Sequence, residues 1–166
     1  MDTNDTVTTA LYFEFFTPGL VLESAPYTVS REEIIAFASE WDPQPFHLDD
    51  EAAANSVFGR ISACSAHIFA LSNKLADGLT PGEAQVLAGL GFDKMRMLLP
   101  LYAGDTIILR DETLAARVSR SNPERGIVTT RSQLHNQHDE VIFSTETSFL
   151  MVRDPANTGA DDIAGE

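Results

Sequence analysis

The chain has 166 residues, enough for one domain with a sizeable core and too few for two of typical size. Its 43% hydrophobic and 22% charged residues argue against a mainly disordered chain. A formal charge of −14, from 11 Lys and Arg against 25 Asp and Glu, argues against a broad nucleic-acid-binding face or a polybasic membrane patch, since both need clustered cations.

The single cysteine, Cys64, leaves no internal disulfide framework and no cysteine-rich metal site. Met1 to Thr9 carries neither the basic residues nor the apolar core of a signal peptide, and no apolar run reaches membrane-spanning length, so a cytoplasmic protein is expected. The polar, threonine-rich residues 1–10 are expected to form a flexible arm, residues 11–153 a single domain, and residues 154–166 a disordered acidic tail.

Within the domain, Tyr12 to Phe16 is aromatic-rich and reads as a short strand or a strap over the core. Pro18-Gly19 breaks the chain before weak strand candidates at Leu20 to Glu23 and Tyr27 to Val29. Ser30 followed three residues later by Glu33 makes a capping box, and Val29 with Ile34 makes a hydrophobic staple, so a helix starts at Arg31. Its Ile34, Phe37, Ala38 and Trp41 lie at helical spacing and predict a buried stripe, with Trp41 in the core.

The next stretch, Trp41-Asp42-Pro43-Gln44-Pro45-Phe46-His47-Leu48-Asp49, brings a carboxylate and an imidazole close together in sequence. Each proline fixes its own φ and biases the preceding residue toward extended backbone, so Asp42 and His47 are expected on a stiff, non-helical connector. Such a connector lets an acid/base pair converge on one water or one substrate atom at small entropic cost. Asp49 or Asp50 caps a short helix through Ala54, and a second, longer helix runs from about Ile61 to Asp77 with Gly78 just beyond its end. That helix has almost no polar face in its first half, which predicts that protein surrounds it.

From Val86 onward the pattern is that of strands: Val86 to Met97, Thr106 to Val118, Ile127 to Leu134 and Val141 to Val152, with hairpin loops at residues 121–126 and 136–139. Consecutive long strands with short turns make an antiparallel sheet. One apolar helix beside such a sheet is buried most economically when the sheet curls round it, an α+β arrangement of the hot-dog type.

The order Phe37-Ala38, then Trp41 to Asp49, then Phe58-Gly59 ahead of an apolar helix resembles the MaoC-like dehydratases, relatives of the (R)-specific enoyl-CoA hydratases. The likeness extends through Gly89-Leu90-Gly91, Pro100, Gly104-Asp105 and Arg125-Gly126, and covers roughly residues 20–153. The resemblance implies a hot-dog fold, a homodimer or larger assembly of dimers, no cofactor, and reversible addition of water across the 2,3 double bond of an acyl-CoA in fatty acid metabolism. Asp42 and His47 match the catalytic pair of that family. Cys64, Ser65 and Ala66 match the helix start whose N–H groups face the thioester oxygen, and His67, Phe58 and Gly59 are further candidates for substrate contact.

One departure stands out: Ser65 occupies the place of the family's glycine, which can crowd the thioester or filter its acyl group. Two alternatives therefore accompany the hydratase reading, a hot-dog thioesterase and a catalytically silent thioester-binding subunit. His67 also fits a buried structural histidine, Cys64 a small core residue, and Arg60, Lys74, Lys94 and Arg96 either solvated cations or partners of the coenzyme A phosphates. His135 and His138 flank a hairpin turn with no metal-ligand spacing, so no metal site is expected.

Overall fold

A computed structural model describes residues 9–158. Residues 1–8 of the expected arm and 159–166 of the expected tail lie outside the described residues. Four helices, α1 (Arg31–Trp41), α2 (Pro45–Leu48), α3 (Asp50–Ala54) and α4 (Ser65–Ala76), accompany eight strands among them. The strands are β1 (Ala10–Leu11), β2 (Val21–Glu23), β3 (Tyr27–Thr28), β4 (Glu83–Ala84), β5 (Val86–Met97), β6 (Thr106–Val118), β7 (Arg125–His135) and β8 (Val141–Val152).

The main sheet is antiparallel in the order β2-β6-β7-β8-β5, with β3 also on β6, and it curls round α4 as a hot-dog fold does. Ile68 and Leu71 of α4 are buried against Ile107, Leu109, Leu134 and Phe143 of the sheet, together with Val29 and Ile34. The inner face of β7 shows the two-residue period behind this packing: Val128, Thr130 and Leu134 point inward. A second, smaller cluster of Phe16, Val128 and Met151 lies toward the other end of the same strands. Phe13 and Phe15 of a 3-10 turn pack on it, which makes the aromatic segment a strap rather than a strand. A methyl at Gly126 would collide with the Phe13 ring, so this glycine is what lets the strap lie against β7.

Ala10, placed by the sequence in the arm, belongs to β1, which runs parallel to β4. At the other end, Asp154 N–H donates to Glu14 at 2.9 Å, so the described beginning of the expected tail is tied to the strap.

Three local expectations change. Trp41 is 66% exposed although Ile34 and Ala38 of its stripe are buried, because α1 packs on α4 and its last turn runs past that contact. Residues 61–63 are extended rather than helical: Ala63 N–H donates to Leu101 O and Ala103 N–H to Ile61 O, while Ser62 bridges Tyr102. A short apolar run has no period that separates strand from helix, and pairing with residues 101–103 decides it. Finally, α4 is not surrounded in the single chain, since Ser65, Ala66 and Asn73 are exposed along one side.

Candidate active site

Ser30 Oγ accepts from Glu33 N–H at 3.1 Å, which fixes the start of α1 and, eleven residues later, its end at Asp42. The Glu33 carboxylate does not complete a reciprocal box; it takes the Tyr27 hydroxyl at 2.9 and 2.8 Å. Asp42 caps α1 outside the helical region, at φ −155° and ψ 74°, and Gln44 is extended before Pro45, as that proline requires. His47 is not on an irregular connector, however. Pro45 opens the single turn α2, because its fixed φ and missing N–H suit a first helical position, and His47 sits in that turn.

The His47 ring is buried, with Phe46 edge-on at 4.5 Å and Phe58 at 6.2 Å. Its Nδ1 lies 2.7 Å from Ser62 O. A carbonyl oxygen only accepts, so Nδ1 carries a proton and, in the neutral ring, Nε2 presents its lone pair. That lone pair faces Asp42 Oδ2 across 3.9 Å. The gap is too long for a direct hydrogen bond and suits one water molecule between two acceptors. The extended segment 61–63 is thus a positioning element, since Ser62 O sets both the tautomer and the ring direction.

The gap opens on a cavity of about 420 Å³. Asp42, His47, Phe58, Cys64 and Ser65 line it, so five of the residues singled out from the sequence meet there. Ala66, Gly59 and His67 do not. Ala66 is exposed on the first turn of α4, and Gly59 supplies a positive φ of 72° in the turn before residues 61–63. His67 is turned the other way: it stacks on Phe37 at 4.4 Å, and its Nε2 is 3.6 Å from Glu33 Oε1. Burial pushes its protonation below the usual histidine range against the pull of Glu33. Ser65 and Ala66 N–H, at the start of α4, have no intrahelical acceptor and stand at the positive end of its dipole. Ser65 is helical with no positive φ, so a serine there carries no backbone strain.

The apolar wall was missed: Phe46, Ala63, Ile68 and Met97 to Pro100 complete the lining. Among the cations proposed for phosphates, Arg60 lies over the Tyr102 ring at 4.0 Å, Lys74 bonds Tyr27 at 2.7 Å and Lys94 bonds Glu146 at 3.0 Å. No three His, Cys, Asp or Glu side chains converge as metal ligands among the described residues. No helix among them is long and apolar enough to cross a membrane.

Comparison with known proteins gives a consistent result. A family model for the MaoC-like domain matches residues 16–136. The uncharacterized protein YdeM of Bacillus subtilis is 32% identical over 140 residues, covering 83% of this chain and 96% of YdeM. The protein MaoC of Klebsiella aerogenes is 34% identical over 101 residues; the match covers 60% of this chain and 29% of that longer protein. The crystal structure of a MaoC-like dehydratase from Rhodospirillum rubrum is 36% identical with a TM-score of 0.82, covering 87% of this chain and 99% of that one. The R-hydratase PhaJ1 of Pseudomonas aeruginosa shares the fold at 21% identity, with a TM-score of 0.69 over 86% of each chain.

Proposed function

The chain belongs to the MaoC-like domain family, and from that premise we propose that it is a hydro-lyase acting on the 2,3 double bond of an acyl thioester such as an acyl-CoA. The observation that carries this reading is the 3.9 Å gap between His47 Nε2 and Asp42 Oδ2, open to an apolar cavity beside the start of α4. A water in the gap donates one proton toward each acceptor. As its oxygen bonds to carbon 3 of the enoyl group, one of the pair takes a water proton and the π electrons move onto the thioester oxygen. Backbone N–H groups at the start of α4, with Ser65 nearest the cavity, stabilise that charge. Carbon 2 then takes its proton from the newly protonated partner, and the other water proton stays on the new hydroxyl. Dehydration is the same path reversed.

Incubation with crotonyl-CoA, following loss of the conjugated double bond with a thiol reagent in parallel, tests the assignment. Loss of the double bond without thiol release is expected. Thiol release points instead to a thioesterase, and neither signal to a silent binding subunit.

The working unit is proposed to be a dimer. Strand β5 is the sheet edge, and its Val86, Leu87, Leu90 and Phe92 are each about half exposed. It leads into Leu98 and Leu99, which line the cavity from an exposed edge, so a second copy here closes the cavity as well as the sheet. Light scattering that finds a monomer at micromolar concentration contradicts this.

A further inference from the structure

A larger cavity, of about 550 Å³, lies beyond the site along α4, between the two apolar clusters of the sheet. Its floor is polar. Asp111 of β6, Thr130 and Ser132 of β7 and Thr147 of β8 point into it from neighbouring strands, with Asp111 opposite Ser132 and Thr130 opposite Thr147. Ser132 Oγ donates to Asp111 Oδ1 at 2.5 Å, and no cation among the described residues pairs with this carboxyl. The neighbouring Arg110 and Arg131 instead pair with Glu23, Asp139, Glu112 and Glu146. Burial pushes the Asp111 carboxyl up from the usual carboxylate range, against the hydrogen bonds of Ser132 and Thr130. A sheet that only had to pack would fill this middle band with aliphatic side chains, because an unpaired carboxyl facing a cavity costs stability.

The band is within reach of the site. Ser65 lines the smaller cavity and Asn73 the larger, about 12 Å apart along the helix axis. Met97 and Phe92 mark the same progression along β5. Between them, Phe69 meets Phe92 edge-on at 4.9 Å.

Building on the hydro-lyase reading, we infer that the larger cavity takes the far end of a medium-length acyl chain that carries an oxygen function there, a hydroxyl or a carbonyl. Asp111, Ser132 and Thr147 supply its hydrogen bonds, and the Phe69–Phe92 pair separates short chains from those that reach them.

Calorimetry on the full chain with decanoyl-CoA and ω-hydroxydecanoyl-CoA tests this without turnover, since neither probe has a 2,3 double bond. The hydroxylated probe is expected to bind about tenfold tighter, the scale of one well-made hydrogen bond. Asp111→Leu should bring the two dissociation constants together. Should that variant fail to fold, Ser132→Ala, a smaller change, is expected to narrow the difference in the same direction. Equal dissociation constants in the wild type, or a preference that survives the substitutions, overturn the inference. A chain that leaves crotonyl-CoA untouched yet keeps the preference retires the hydratase reading and leaves this ligand class standing.

Discussion

His47 and His67 are both buried imidazoles with a carboxylate within 4 Å, yet the two sites are built for different ends. At His47 the far nitrogen is anchored on Ser62 O, and the near one faces Asp42 across a gap that opens on a cavity. At His67 the same nitrogen faces the carboxylate, but the anchor is missing. Its Nδ1 is buried without a partner among the described residues, and its ring is clamped against Phe37. Its carboxylate, Glu33, is already held by Tyr27 and Lys74. The lesson is that a histidine and a carboxylate at close range do not make an acid/base site. An anchored tautomer, a free lone pair and room for a reactant do, and only the His47 site has all three.

The largest test of that contrast is kinetic. His47→Gln and Asp42→Asn should each lower turnover on crotonyl-CoA by roughly two to four orders of magnitude with the fold intact by circular dichroism. The double variant should be little worse than the poorer single, because the pair acts as a unit. His67→Gln should cost less than about tenfold. Comparable losses at all three positions would erase the distinction.

A stability measurement sharpens it from the other side. Because the folded state holds His67 below its usual 6.5, the unfolded chain binds more protons as pH falls through that value. The stability associated with neutral His67 is therefore present above about pH 6.5 and is lost below it, until the folded group itself titrates. Replacing His67 with Phe should flatten this part of the pH–stability curve between pH 7 and pH 5. An unchanged slope in denaturant titrations counts against the assigned burial effect.

Ser30→Ala touches both histidines, since α1 carries Glu33 toward one and Asp42 toward the other. Loss of the cap should cost about 1 kcal/mol by chemical denaturation. The accompanying loss of turnover should be modest, because α2 and Ser62 still hold His47.

The smallest effect is expected at Ser65→Gly. The backbone donor survives the change, so turnover on crotonyl-CoA should hold or rise, with the larger gain, up to severalfold, on branched enoyl-CoAs. A loss on the order of a hundredfold would instead make the hydroxyl itself a donor to the reaction.

Much of this organisation is legible in one dimension because it is set by neighbours in sequence. The cap at Ser30, the prolines flanking Gln44 and the Asp49 cap of α3 each follow from local sterics, and each is found where expected. Two of the misplacements share one cause. Trp41 has the right spacing for a core residue, but its burial depends on how far α4 extends beneath it. Residues 61–63 have the composition of a helix, but their backbone groups find partners in residues 101–103. Both are decided by what lies across the fold, which periodicity does not encode.

The sequence by itself therefore determined the element types, the sheet-and-helix class and the presence of a carboxylate and an imidazole near one another, because each rests on local preference. Only the tertiary structure decided which histidine is poised. Ser62 O, fifteen residues from His47, fixes its tautomer, and Glu33, thirty-four residues from His67, draws that ring away from the cavity. The polar band at Asp111, Thr130, Ser132 and Thr147 is likewise invisible along the chain. Four unremarkable polar residues on three strands become one surface only when the register of the sheet aligns them.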